Sequence, residues 1–258
     1  MTLGSCGAAR IACVRYTNGS RERYKAWRGG KRGATVAQET EIKLQVTDEK
    51  AFHRALKRLK AVPVSKSSPR VHEFNVIFDH PEGTLAKHGQ LLRIRTETAE
   101  PPKQKSKSRK VDWKQRVLVT FKRPTDEDDT STAGRTGRYK VREELELEVS
   151  DAGALTKIFE TLGMDAWFRY EKYRTTYKLG SSQAWAKGLL IELDETPVGR
   201  FVELEGPMEA IDRVAHELGF TKRDYITKSY LVLYVEECRR RGEEPRHMLF
   251  AAAKKRSA

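Results

Sequence analysis

Charged side chains fall on every second position in five stretches of this chain: Glu39-x-Glu41-x-Lys43, Arg93-x-Arg95, Arg142-x-Glu144-x-Glu146, Lys172-x-Arg174 and Glu203-x-Glu205. A period of two puts each set on one face of a β-strand, with the intervening residues on the other. The intervening positions are largely apolar: Ile42, Leu92, Ile94, Leu145 and Leu204. A solvated face would explain one such strand. Several strands carrying both signs on the same face are better explained as the lining of a polar tunnel. The pattern predicts strands at 39–46, 71–78, 91–96, 116–122, 139–149, 168–179, 186–195 and 199–205. On the strand at 139–149, Val141, Leu145, Leu147 and Val149 are expected to point outward if the charges point in.

Elsewhere the period changes to that of a helix. Ala51, Phe52, Ala55, Leu56 and Leu59 predict an amphipathic helix over 48–60, with Thr47 as its N-cap. Leu155, Ile158, Phe159 and Leu162 predict a second, opened by Ser150-Asp151 and ended by Gly163. Ile211, Val214, Ala215 and Leu218 predict a third over 208–218, and a last helix is expected over 226–239. Consecutive strands joined by turns pair antiparallel. The expected fold class is therefore α+β: an eight-stranded antiparallel β-barrel with a polar, charged interior and helices packed outside.

Charge and composition set the boundaries of that domain. The net charge of +14 suggests a polyanion partner at first sight. Residues 1–37 carry +7, residues 98–116 carry +5 and residues 239–258 carry +5, which leaves the remainder near −3. The basic excess thus belongs to appendages. We expect a disordered basic extension at 1–37, or a start codon assigned too far upstream. A tunnel domain at 38–240 follows, carrying an inserted basic loop at 98–112, and then a basic tail at 241–258. Nucleic acid is expected to bind only through those tails or that loop. No apolar run approaches the roughly 20 residues of a membrane helix, so no membrane partner is expected. Cys6, Cys13 and Cys238 form neither a disulfide framework nor a zinc pattern, and a reducing, cytoplasmic setting is the expectation.

The ordered series of motifs resembles the CYTH superfamily, the triphosphate tunnel metalloenzymes. It runs from the Glu39–Lys43 strand through Phe78-Asp79, Leu92-Arg93-Ile94-Arg95, Thr120-Phe121-Lys122, Arg142-Glu143-Glu144-Leu145-Glu146, Tyr170-Glu171-Lys172-Tyr173-Arg174, Leu193-Asp194-Glu195 and Gly199–Gly206 to Lys228-Ser229-Tyr230. Two features depart from the family. Ile77 stands where members often carry Tyr, and the loop at 98–112 is longer and more basic than is usual.

The resemblance implies a triphosphate inside the tunnel, held by cations along its length and by metal ions bridging its oxygens. Lys43, Arg93, Arg95, Lys122, Arg142, Lys172 and Arg174 are the expected triphosphate-binding residues. Glu39, Glu41, Glu203 and Glu205 are expected to hold one metal ion, and Glu144 and Glu146 a second that activates water. Hard oxygen donors without a Cys or His cluster point to Mg²⁺ or Mn²⁺. Lys43, Glu144 and Glu146 are the candidate catalytic groups. Asp194 and Lys228 are further candidates, at the lining and at a tunnel end. Glu143, Glu148 and Glu171 are expected to face solvent, and Glu192 to be structural. Trp113, Trp167 and Trp185 are expected to pack the barrel or anchor hairpins, and Ser229-Tyr230 to pack the final helix on the barrel.

The expected activity is metal-dependent hydrolysis of an inorganic or organic triphosphate. One alternative is a class IV adenylate cyclase, making cyclic AMP and pyrophosphate from ATP. Another is a module that binds polyphosphate or an RNA 5′-triphosphate without chemistry. Retention of six acidic residues favours the enzyme, because a passive anion binder needs cations more than carboxylates.

Overall fold

A computed structural model describes residues 35–65, 70–100, 115–125 and 136–251. The expected extension up to residue 34, the inserted loop at 101–112, Trp113, the loop at 126–135 and the last seven residues of the tail lie outside the described residues.

Among the described residues, eight long strands close into one antiparallel barrel. They are β1 (Thr35–Gln45), β3 (Arg70–Asp79), β4 (Leu91–Ala99), β5 (Gln115–Pro124), β6 (Lys140–Val149), β7 (Asp165–Lys178), β8 (Leu190–Thr196) and β9 (Gly199–Glu205). Their order around the barrel is β7-β3-β4-β5-β6-β1-β9-β8, and β8 pairs again with β7 to close it. A two-residue strand, β2 (Val62–Pro63), adds to one end of β7. The helices are α1 (Glu49–Arg58), the short α2 (Thr84–Lys87), α3 (Ala152–Thr161), α4 (Met208–Glu217) and α5 (Tyr230–Arg241). Among the described residues no helix is long and apolar enough to cross a membrane.

The main apolar core lies outside the barrel wall. Ile42 and Leu44 of β1, Ile191 and Leu193 of β8 and Val202 and Leu204 of β9 face outward. They pack against Phe52, Ala55 and Leu56 of α1 and Ile211, Val214 and Ala215 of α4. The alternation that turns those side chains out turns Glu39, Glu41, Lys43, Glu203 and Glu205 in. A second cluster gathers Ile77, Phe168, Tyr170 and Phe201 with Tyr230 of α5 and Met248.

Several local expectations are corrected. Helix α1 is capped by Asp48, whose side chain accepts from the Ala51 amide at 2.9 Å, not by Thr47. Helix α3 keeps Asp151 as its cap, but Ile158 and Leu162 are 54% and 63% exposed. Its packing rests instead on Phe159, whose ring lies 5.1 Å from that of Phe78. The last helix begins at Tyr230, because Ser229 caps it while Ile226 pairs by backbone hydrogen bonds with Lys43. Part of the expected tail is built into the barrel. β8 pairs with β7 only from Tyr173 to Tyr177, and beyond that the β7 edge takes the C-terminal segment. There the Met248 amide donates to the Arg169 carbonyl (3.0 Å), the Glu171 amide donates to the Met248 carbonyl (2.9 Å), and the Met248 side chain is fully buried.

Gly206 ends β9 at φ +143°, and a Cβ there would stand 2.8 Å from the Gly188 carbonyl oxygen. Both the backbone angle and the close approach require glycine. Gly206→Ala is expected to destabilise the fold by about 1–3 kcal/mol, seen as a lower urea midpoint at unchanged slope.

Candidate active site in the barrel interior

A cavity of about 490 Å³ occupies the barrel. All thirteen expected lining residues border it: the seven cations and six carboxylates named from the sequence. Asp194 lies just beneath its surface, wholly buried. Lys228 does not reach it, and pairs instead with Glu236 at 2.6 Å on the outside of α5. Of the glutamates expected to face solvent, Glu143 pairs with Arg123, Glu148 pairs with Arg116, and Glu171 accepts from the Phe250 amide (3.1 Å).

Desolvated charges need partners, and here nearly every one has several. Arg174 is the hub. It donates two hydrogen bonds to Asp194 (2.6 and 2.7 Å), pairs with Glu192 and Glu203, and lies 3.7 Å from Glu73. Lys172 donates to Asp194 (3.0 Å) and pairs with Glu73 (3.5 Å). Arg95 reaches Glu73 (3.5 Å), Glu97 (3.3 Å) and Glu146 (3.4 Å). Lys122 pairs with Glu39 and with Glu144 (3.4 Å), and Lys43 pairs with Glu203 (2.7 Å). Arg93 donates to the Tyr170 hydroxyl (3.0 Å) and to Thr120 (3.3 Å). Arg142 borders the cavity with no ion pair among the described residues.

Four interior residues were not assigned to the lining from the sequence. Glu73 is 2% exposed and serves three cations; its signal was a lone acid in an apolar strand. Lys140 pairs with Glu41 at 2.5 Å, and lies two residues before Arg142 on the same face. Tyr170, quoted only within a motif, carries the hydroxyl that Arg93 holds. Tyr230 comes from α5 but is part of the charge network. Its hydroxyl donates to Asp194 (2.7 Å), and Lys43 lies 4.5 Å from the centre of its ring. It was expected to pack the helix, which it also does. Glu192, expected to be structural, borders the cavity beside Arg174.

Strand register explains where the negative charge concentrates. Among the described residues, four pairs of carboxylates face each other directly across the ladder: Glu73 with Glu97, Glu192 with Glu203, Glu41 with Glu205 and, at the ends of β3 and β7, Asp79 with Asp165. Facing like charges destabilise a sheet unless something lies between them. Arg95 bridges the first pair and Arg174 the second. Lys140 pairs with Glu41 alone, so no side-chain cation bridges the third pair among the described residues.

The titration behaviour follows. Burial opposes the Glu41 carboxylate, but Lys140, Lys43 and Lys122 outweigh it and hold its pKa at about 2. Burial, followed by the charges of Glu192 and Glu39, pushes Glu205 up to about 8. Lys43 is buried too, yet Glu203 and Glu41 raise its pKa, so it stays a cation. Burial moves Lys140 the other way, downward.

The CYTH domain model matches residues 37–230, and the chain belongs to that family. A provisionally named adenylate cyclase from Methanocaldococcus jannaschii is 24% identical over 200 residues, covering 76% of this chain and 97% of its own length. Among solved structures, the PH1819 protein of Pyrococcus horikoshii superposes with a TM-score of 0.57 at 21% identity, covering 77% of this chain and 99% of its own. A provisionally named adenylate cyclase from Vibrio parahaemolyticus gives 0.54 at 17% identity, covering 76% and 96%. At these identities the superpositions establish a shared fold.

Because Glu205 titrates near 8 when folded and near the ordinary carboxylate value when unfolded, the folded chain keeps a proton that the unfolded chain loses between those limits. This group's contribution to stability therefore falls as pH rises from about 4.3 to about 8, and is then constant. In chelator, Glu205→Gln is expected to melt several degrees above the wild type at pH 8.5, with the difference gone at pH 4. Thermal unfolding across that range measures it.

Proposed function

We propose that this chain is a metal-dependent triphosphatase of the CYTH family, hydrolysing a triphosphate inside the barrel. The observation that carries this reading is the facing pair Glu41 and Glu205, two carboxylates that no side chain bridges, opposite a wall of lysines and arginines.

The donor set fits a hard divalent cation. Among the described residues no three acidic, His or Cys side chains are already gathered around a metal position, because lysines and arginines hold most of the carboxylates. The facing pair, whose Glu205 is pushed up to about 8 first by burial and then by the charges of Glu192 and Glu39, is where an added cation would favour the carboxylate form. Glu41 and Glu205, with Glu39 and Glu203 beside them, would hold Mg²⁺ or Mn²⁺, and Glu144 and Glu146 a second ion. Bound there, the metal would supply charge neutralisation for the phosphate oxygens and a water of lowered pKa.

The chain's own residues do the rest. Arg93, Arg95, Lys122, Arg142, Lys172 and Arg174 offer fixed positive charge along the path of the anion. Arg95, Lys122, Lys172 and Arg174 are held by carboxylates, and Arg93 by Tyr170 and Thr120, before substrate arrives, so little reorganisation is needed as charge develops on the transferred phosphoryl group. Lys43, kept charged between Glu203 and the Tyr230 ring, acts as a phosphate-orienting cation in this reading, not as a base.

A second reading is supported by the names of the Methanocaldococcus and Vibrio relatives. In a cyclase the 3′-oxygen of ATP would attack the α-phosphorus and pyrophosphate would leave. The lining would be the same, with a different phosphorus presented.

Purified protein with Mg²⁺ or Mn²⁺ is expected to release phosphate without cyclic AMP. Cyclic AMP and pyrophosphate from ATP would establish the cyclase instead. Glu41→Gln is expected to lower kcat/KM by roughly a hundredfold or more while leaving the far-ultraviolet circular dichroism unchanged. Metal-dependent turnover retained in that variant would remove Glu41 from the site.

A further inference from the structure

Arg93 stands apart from the other buried cations of the lining. Among the described residues it touches no carboxylate. Its guanidinium ends on two neutral oxygens: Thr120 Oγ1, directly across the β4–β5 ladder (3.3 Å), and, reaching past β3, the Tyr170 hydroxyl of β7 (3.0 Å). Its Nε has no partner. A desolvated cation without an acid beside it is costly. The charge is therefore open to an anion that enters the cavity.

The direction of these bonds leaves one hydrogen over. A guanidinium only donates, so both oxygens accept from Arg93. Thr120 passes its own hydrogen to Glu146 (3.2 Å). Tyr170 passes its hydrogen to no acceptor among the described residues. Four other tyrosine hydroxyls make hydrogen bonds there, and each gives its hydrogen to the protein: Tyr139 and Tyr225 to Asp212, Tyr230 to Asp194 and Tyr234 to the His247 carbonyl. Asn75, the ladder partner of Tyr170, is wholly buried and its amide oxygen has no partner, so it does not take the hydrogen either. The Tyr170 ring is held firmly. It is 6% exposed, stacks 6.0 Å from Phe168 and packs with Ile77, Phe201 and Met248. It also borders the cavity, and a buried hydroxyl ordinarily has an acceptor for its hydrogen.

We infer that Tyr170 is a catalytic residue of the proposed hydrolysis: its hydroxyl, set beside the Arg93 charge, donates to a phosphate oxygen that gains negative charge as the bond to the transferred phosphoryl group breaks. This rests on the triphosphatase reading given above and adds a group to it. Water adds to the phosphorus, the P–O bond to the departing phosphate breaks, and its electron pair stays on the departing oxygen. Tyr170 keeps its proton throughout and, with Arg93, stabilises the charge that develops. Burial opposes a phenolate here, and so does Glu73 of β3, but Arg93 of β4 and Lys172 on the same strand outweigh both and lower the Tyr170 pKa. Tyr230 of α5, packed in the same cluster, is held neutral by burial and by Asp194. A phenol of lowered pKa is a stronger hydrogen-bond donor, and one that stops donating at a lower pH than an ordinary tyrosine.

The test uses the full chain with Mg²⁺ or Mn²⁺ and whichever of tripolyphosphate and ATP the wild type hydrolyses faster. Tyr170→Phe keeps the ring and is expected to lower kcat by roughly tenfold to a hundredfold, with KM within about threefold of the wild type, because the bond strengthens in the transition state. Replacing Tyr170 by 3-fluorotyrosine separates loss of the donor from loss of an anchor for Arg93, and decides alone if Tyr170→Phe does not fold. Fluorine makes the hydroxyl a better donor, a poorer acceptor and a stronger acid. The fluorinated protein is expected to keep its activity at neutral pH, with the alkaline limb of its kcat profile moved to lower pH. A folded Tyr170→Phe protein with kcat within about threefold of the wild type overturns the inference, as does a loss seen in KM alone. So does a fluorinated protein that loses activity at neutral pH or leaves the alkaline limb in place. In each of these cases the wild type still hydrolyses, and the triphosphatase reading stands. A wild type that releases phosphate from neither probe overturns that reading, and the inference with it.

Discussion

Arg174 holds four carboxylates, and the rest of the barrel interior is arranged around that fact. Asp194, Glu192, Glu203 and Glu73 come from three different strands, and only a planar guanidinium with several donors satisfies so many at once. A group buried this deeply costs several kcal/mol if left alone, so each added carboxylate must be matched by a further cation. Lys172, Arg95 and Lys43 do that matching. The outcome is an interior in which charge, not apolar packing, sets side-chain positions, while the apolar core is displaced to the outer face beneath α1 and α4. The cations are therefore fixed before any ligand arrives, which is what an electrostatic catalyst requires.

The same bookkeeping shows where the interior is incomplete. Facing carboxylates at Glu73–Glu97 and Glu192–Glu203 each have a bridging arginine. Glu41–Glu205 has only Lys140, bound to one side of it. Asp79–Asp165 also has no bridging cation among the described residues, and there the Asp79 carboxylate accepts from the His80, Leu85 and Ala86 amides. In the proposed reading an exchangeable cation would lie between Glu41 and Glu205, and Lys140, whose ammonium is disfavoured by burial, would be the partner displaced.

The period-two charge pattern made the barrel legible, since a strand with one charged face has few other places to go. It located β9 to the residue and thirteen charged residues that border the cavity, but not Lys140 or Glu192. It did not reveal Glu73, Tyr170 or Tyr230 as part of the charge network, because none belongs to a run of alternating charges of its own and each acquires its role through partners distant in sequence. Helix α3 misled for the opposite reason. Its apolar stripe is regular, but the barrel offers it only the Phe78 edge, and Ile158 and Leu162 remain exposed. The C-terminal segment read as a basic tail because its one short apolar run, 248–253, lies between Arg246 and Lys254. The burial of Met248 depends on the stretch of the β7 edge that β8 leaves unpaired.

Helix α5 ties the charge network to the outside of the barrel. Tyr230, its first residue, is bound to Asp194 at the centre of that network, and Leu231 and Val232 border the cavity beside it. Ser229 caps this first turn, and Ile226 ties the preceding chain to Lys43, so the turn is anchored on both sides to elements that carry tunnel cations. The helix thus sets Tyr230 against Asp194 and Lys43 by its own docking, and that part of the charge network is ordered without a ligand.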